Sequence, residues 1–260
     1  MNSDQPMSRS RLRELWTEKF MEKGRISYEI AGKKAIFTDP ATGCGGEKCS
    51  MEIPSCGALT EITKAIFWKP AINIIVDRVR VMNPIRTAAE GQKFLGFDGG
   101  ADRAYYTYLT DVKYQVEAHF EFNKLRPQFS AEWDNPKKYY AEIVKAILME
   151  GRHEPFLGKT ECAPEYIRLC EFGEGEGYYD HTGEKSFGYL YWGLTYPDIG
   201  YDRESLSAIM THIWDAKMVD GVVTYPKPEE CLHRKIRDAE MKYFPNKCTH
   251  NAEGDRHAAS

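Results

Sequence analysis

The pattern of apolar and polar positions is easiest to read from Ala65 to Arg86, AIFWKPAINIIVDRVRVMNPIR. Ser55 is suited to cap a helix, and Pro70 disfavours helical geometry at Lys69, so a helix is predicted from Ser55 to Lys69. Its apolar stripe is Leu59, Ile62, Ala65 and Ile66, which leaves Phe67 and Trp68 off the stripe. The β-branched run Ile72 to Met82 predicts a strand. With strict alternation, Ile75, Val79 and Val81 form its core face, and Ile72, Ile74 and Val76 share the other face with Arg78 and Arg80. Lys113 to Phe122 alternates cleanly. Val112, Tyr114, Val116, Ala118, Phe120 and Phe122 make an apolar face, and Lys113, Gln115, Glu117, His119 and Glu121 a polar one. Two further helices follow from helical spacing. One has Leu12, Leu15, Trp16 and Phe20 within residues 8–23, with Ser10 as cap and Gly24 as stop, the alternative being an extension without fixed structure. The other has Tyr140, Ile143, Val144, Ile147 and Leu148, between Asn135–Pro136 and Gly151.

The remaining segments fill out the plan. Ile26 to Phe37 predicts a first strand, and a Gly- and Pro-rich excursion runs on to Pro54. After Arg86 comes a polar connection with Gly91, Gly96, Gly99 and Gly100. Phe187 to Tyr196 and Gly221 to Tyr225 predict strands, and Ser205 to Asp215 a helix. Helices interleaved with strands give an α+β class with a split βαβ, ferredoxin-like (RRM-like) domain over residues 25–155. Residues 156–228 read as a smaller, mainly antiparallel β subdomain that stands alone or completes the first sheet. Residues 1–24 are an N-terminal extension, and 229–260 a mixed-charge, poorly ordered tail.

Composition narrows the class. The 260 residues are 42% hydrophobic and 28% charged, as in soluble globular proteins. No apolar run is long enough to span a bilayer, and the polar N-terminus lacks a secretory core, so a cytoplasmic protein is expected. Seven scattered cysteines without a CxxC pair suggest reduced thiols. Cys231-x-His233 and Cys248-x-His250 repeat a unit whose one-residue gap is unusual for zinc, so neither metal nor cofactor is expected. The net charge of −4 is unevenly spread. Residues 160–204 carry ten acidic and three basic side chains, whereas residues 61–86 carry five basic and two acidic. A basic patch therefore fits the chain despite its overall sign.

Several residues have types suited to nucleic acid. Arg78 and Arg80 lie two strand steps apart, roughly 6.6 Å, which suits a row of phosphates as well as it suits a solvated strand end. Lys48 beside Gly43, Gly45 and Gly46 resembles a phosphate loop only loosely, since the P-loop spacing is missing. Tyr105, Tyr106 and Tyr108 suit base stacking or an ordinary strand. Phe67 and Trp68 await a covering domain or a ligand. His119, between two carboxylates, is a candidate proton carrier on an otherwise plain polar strand face.

The order of FTDP (Phe37–Pro40), GGEK (Gly45–Lys48), the Ala65–Arg86 stretch, VEAHFEF (Val116–Phe122), FLGKTEC (Phe156–Cys162) and the acidic segment Phe172–Asp180 resembles the Cas-five family of CRISPR-associated proteins. The likeness is to subtype I-C members described as CRISPR RNA processing endoribonucleases, and it runs from about Arg25 to about Pro228. It implies a ferredoxin-like fold, binding of the CRISPR RNA repeat hairpin, cleavage without metal, and retention of the 5′ handle among the other subunits of a surveillance complex. It also implies a tyrosine where this chain has Phe67, and a lysine and a histidine on the strand matching Val112–Phe122. His119 is present, but Phe67 has no hydroxyl and Glu117 stands where a lysine is expected. RNA cleavage by its own 2′-hydroxyl needs proton carriers and a cation. Here His119, Lys69 and Lys113 are the catalytic candidates. Lys48, Trp68, Arg78, Arg80, Arg86, Tyr105, Tyr106 and Tyr108 are the RNA-binding ones. The alternatives are a subunit that holds the 5′ handle without cutting, or a general RNA-binding module.

Overall fold

The strands pair into one antiparallel sheet. In the computed structural model, residues 8–44, 46–95, 99–133 and 135–241 are described. Among the described residues, four α-helices and nine strands follow in chain order: α1 Arg9–Lys23, β1 Ile26–Ala35, α2 Pro40–Gly43, α3 Cys56–Ile66, β2 Ile72–Val81, β3 Thr87–Leu95, β4 Ala101–Phe122, α4 Pro136–Leu148, β5 Tyr166–Leu169, β6 Glu184–Thr195, β7 Ala208–Val219, β8 Val222–Thr224 and β9 Leu232–Asp238. The spatial order of the sheet is β5-β1-β4-β2-β8-β7-β6, with β3 paired to β4 and β9 to β7. The β5-β1-β4-β2 portion, with α3 between β1 and β2 and α4 between β4 and β5, has the connectivity of a split βαβ unit. Strand β8 pairs with β2 through Arg78, Val79 and Arg80, so β6–β9 extend the same sheet.

Helices α3 and α4 cover one face of the β5-β1-β4-β2 portion. Ser55 accepts from the Ala58 N–H and starts α3, and Asn135 accepts from the Lys138 N–H and starts α4. The helices bury Leu59, Ile62, Ile66, Ile143, Val144 and Ile147 against Ile26, Tyr28, Ile30, Val116 and Ala118. The Tyr28 hydroxyl meets that of Thr63 at 2.7 Å, which gives a sealed phenol a partner. Phe120 and Phe122 join Tyr139 and Tyr140 in an aromatic cluster with centroid separations of 4.9–5.8 Å. α1 packs on α4 through buried Thr17 and Phe20, and its Lys19 and Lys23 reach Glu171. Its cap is Ser8 rather than Ser10, while Gly24 stops it as expected, at φ 63°.

Elsewhere the chain departs from its sequence pattern. α3 stops at Ile66, because Phe67 is already extended at φ −156°; this points Phe67 into the core between Tyr139 and Arg152 and leaves Trp68 40% exposed. The pairing of β2 with β4 shifts by one residue between Val76 and Arg78. This bulge at Asp77 exchanges the faces assigned to Ile72–Val76: Ile72, Ile74 and Val76 join Val79 and Val81 in the core, and Ile75 moves to the polar side beside Arg78 and Arg80. The first part of the polar connection after Arg86, with Gly91, is strand β3, which forms a long hairpin with the first half of β4. Ser205–Asp215 is a short 3₁₀ turn leading into β7, where Met210, His212, Trp214, Ala216 and Met218 alternate inward. Leu232–Asp238, assigned to the tail, pairs with β7 as β9. Residues 1–7, Gly45, Gly96 and the tail after Met241, with Cys248 and His250, lie outside the described residues.

Candidate functional site

The polar face of β4 carries the chemistry. Along it, Lys113, Gln115, Glu117 and His119 stand opposite Ala31, Glu29 and Ser27 of β1 on one side and Arg80, Arg78 and Ile75 of β2 on the other. At the His119 end, Asp77 Oδ2 lies 3.0 Å from His119 Nδ1, and Glu121 Oε1 lies 3.8 Å from Nε2. The hydrogen bond to Asp77 raises the imidazole pKa above its ordinary value, with the charges of Asp77 and Glu121 adding to it against the effects of burial and Arg25. The bulge supplies this partner, since its extra residue brings the Asp77 carboxylate beside the ring. Its sequence signal was an aspartate inside a β-branched run, where aspartate is disfavoured.

Next to His119, the buried Glu117 carboxylate accepts from Arg25 Nη1 at 2.6 Å and from Arg78 Nε and Nη2 at 2.9 and 3.1 Å. Glu117 is therefore committed to two guanidinium groups, and Asp77 takes the place expected for it beside His119. Arg25 and Arg78 keep 48% and 39% of their side chains exposed, so each retains an open edge. Phe172 lies 4.2 Å from the Arg78 guanidinium, in a stacking position.

Further along the same face a second network is closed to solvent. Arg80 is 7% exposed and donates to both Asp180 carboxylate oxygens, to Gln115 and to the carbonyls of Glu174 and Gly175. Gln115 ties the same loop down through the Glu174 carbonyl and the Gly173 N–H. The acidic segment Phe172–Asp180 thus lies across the middle of the polar face. Arg80 is withdrawn from any phosphate, because its donors end on protein oxygens. Lys113 is 3.6 Å from Glu29, which also holds Arg168 at 2.6 Å and the Tyr166 hydroxyl at 2.9 Å.

The catalytic candidates do not meet. Lys113 lies six residues along β4 from His119, roughly 20 Å away, beyond the Arg80 network. Lys69 lies 5.4 Å from the Tyr139 ring, on the helical side of the sheet. Arg25 and Arg78 are the cations near His119. The sequence pattern marks Arg78 as a phosphate ligand but not its place beside His119, and nothing marks Arg25, because it precedes the first strand.

The binding candidates divide in a similar way. Tyr108 is buried and its hydroxyl donates to Glu161, so it presents no face to a base. Tyr105 is 49% exposed on the β3–β4 hairpin, and Tyr106 is partly exposed on the opposite face of that hairpin. Arg86 is exposed where the hairpin begins. Lys48 lies 5.8 Å from the Tyr106 ring, and Trp68 is exposed in a cleft of about 420 Å³ with Lys64, Arg126 and Arg237.

Residues 25–226 match the family described as CRISPR-associated protein (Cas_Cas5). The chain is 30% identical over 172 residues to the CRISPR pre-crRNA endoribonuclease Cas5d of Mannheimia succiniciproducens, covering 56% of this chain and 73% of that protein. It is 28% identical over 149 residues to the CRISPR pre-crRNA endoribonuclease Cas5d of Thermus thermophilus, covering 53% of this chain and 61% of that protein. A crystal structure of a CRISPR-associated protein superposes with a TM-score of 0.66 at 26% identity, covering 81% of this chain and 96% of that one.

Proposed function

Because the chain belongs to the CRISPR-associated Cas5 family, we propose that it binds the repeat hairpin of precursor CRISPR RNA and cleaves it without metal. In this reading it then keeps the 5′ handle within a cytoplasmic, subtype I-C surveillance complex. The observation that carries the reading is the His119–Asp77 pair, with Glu121 beside it and the open edges of Arg25 and Arg78 on the same face.

Each group has a role in that chemistry. Glu121 takes the proton of the 2′-hydroxyl, whose oxygen attacks the neighbouring phosphorus. His119, whose imidazolium form Asp77 favours, gives its proton to the departing 5′-oxygen. The P–O5′ bond breaks as the new P–O bond forms, which leaves a 2′,3′-cyclic phosphate and a 5′-hydroxyl. Arg25 and Arg78 balance the charge that builds on the equatorial oxygens.

A second reading, binding without cleavage, is favoured by one observation. Glu117 already pairs with both arginines and offsets one of their two positive charges, so less positive charge is left for the transition state. Incubation of the protein with its own repeat RNA in excess EDTA separates the two. Cutting that is lost in His119→Ala, and lost when the cut site carries a 2′-deoxy sugar, supports the first. Tight binding without cutting, even after Mg²⁺ is restored, establishes the second.

A further inference from the structure

Two motifs far apart in the chain converge on one side chain. Lys48, at the end of GGEK, lies 5.8 Å from the Tyr106 ring, and Lys159, in FLGKTEC, lies 4.3 Å from the same ring. A third ammonium, Lys34 of β1, lies 4.7 Å from the neighbouring Tyr108 ring, and the two rings are 6.4 Å apart. The convergence is built into the backbone. The Lys48 carbonyl accepts from the Thr107 N–H at 2.8 Å, and the Ser50 N–H donates to the Thr107 carbonyl at 3.0 Å, which fixes the first motif on β4. The second is held to the end of β1 by the Ile36 N–H to Leu157 carbonyl bond at 2.9 Å. Gly158 permits that approach, since a Cβ there would lie 1.9 Å from the Ile36 carbonyl oxygen.

Gathering three ammonium groups costs repulsion, which the fold offsets only in part. Glu90 pairs with Lys34 at 2.8 Å and Glu161 with Lys159 at 3.7 Å, while Lys48 has no carboxylate partner among the described residues. The tyrosine rings attract the cations through their π faces without cancelling their charge. Arg103 and exposed Lys93, opposite one another in the β3–β4 register, continue the basic surface along the hairpin.

We propose that Lys34, Lys48 and Lys159, arrayed on Tyr106 and Tyr108, are a clamp for consecutive phosphates of single-stranded RNA. The clamp rests on the RNA-binding reading above and adds to it a place on the molecule and a ligand chemistry. It holds backbone and therefore reads no sequence.

The test is a salt series of fluorescence-anisotropy titrations with a 5′-labelled oligouridylate. It uses the full chain, the single variants Lys34→Ala, Lys48→Ala and Lys159→Ala, the triple variant, and Lys217→Ala on β7 as a control. Each clamp lysine removed is expected to flatten the slope of log K against log salt by about 0.7, the value for one single-strand phosphate contact. Lysine-to-arginine variants are expected to retain the slope, and Lys217→Ala to leave it unchanged. Slopes in the triple variant equal to wild type, or an equal loss in Lys217→Ala, overturn the clamp. If the triple variant does not fold, the single variants decide. A protein that prefers its own repeat RNA but keeps its slope in every variant retains the RNA reading and loses the clamp. One that shows the clamp on oligouridylate but no preference for repeat RNA does the reverse, and one that holds neither RNA loses both.

Discussion

Two histidines sit on neighbouring parts of one sheet, and their surroundings give them opposite protonation behaviour. His119 is 28% exposed on β4 and hydrogen-bonded to Asp77, which raises its pKa from 6.5. His212 on β7 is fully buried, with Nε2 2.7 Å from the Thr195 hydroxyl. Burial, followed by the nearby His233, lowers its pKa from 6.5. Trp192, Tyr201 and His233 surround it with ring centroids at 5.6, 6.1 and 6.0 Å. A residue type therefore says little about chemistry until its neighbours are known. The first histidine is set up to hold a proton, and the second to refuse one.

The contrast can be broken most strongly at His119. His119→Ala is expected to lower the rate of repeat RNA cleavage about a hundred- to ten-thousandfold, the usual contribution of a placed proton carrier. Its thermal midpoint is expected to fall only slightly, by the small contribution of the partly exposed ion pair with Asp77. The same substitution at His212 is expected to do the opposite: a sealed ring leaves a cavity and an unpaired Thr195, costing about 2–3 kcal/mol in denaturant unfolding, while cleavage per folded molecule stays unchanged. If His212→Ala lost activity without losing stability, the division between the two parts would fail.

Smaller effects sharpen the comparison through pH. The raised His119 value means that its ion pair stabilises the fold fully below 6.5 and stops doing so as pH climbs through the raised value. Cleavage that uses its proton declines over the same alkaline range. Asp77→Asn is expected to move that limb of the pH–rate profile to lower pH, and an unmoved limb would remove Asp77 as the cause. For His212 the sign is reversed. Its neutral form fits the core, so its contribution is present above 6.5 and is lost as pH falls towards the lowered value. Thermal melts between pH 7 and 5, with His212→Gln alongside, are expected to show a steeper acid loss in wild type than in the variant.

The sequence was most legible where one rule acted alone. The core of α4, its Asn135 cap and the alternation of Lys113–Phe122 all appear as the pattern predicts. The errors came where two rules competed. Ser205–Asp215 contains enough spaced apolar residues for a helix, yet pairing with β6 and β9 satisfies its backbone and buries alternate side chains instead. At the site, His119 and its neighbour Glu121 were legible because their strand was, but the other partners were not. Asp77 required the bulge, Arg25 lay outside any periodic segment, and the closure of Arg80 by Glu174, Gly175 and Asp180 joins residues about a hundred positions apart. Lys34 and Lys159 were likewise hidden, since only the fold brings them to the tyrosines.

The extra residue at Asp77 gives β2 two parities. Before it, even-numbered positions face the helices; after it, odd-numbered ones do. A saturation scan along the strand would accordingly show tolerance alternating from residue to residue and then skipping one beat. Deleting Asp77 would do more than remove a carboxylate. It would remove the bulge, so that Val76 is followed directly by Arg78 and Ile72, Ile74, Val76, Val79 and Val81 share one face of a regular strand, with no skipped beat.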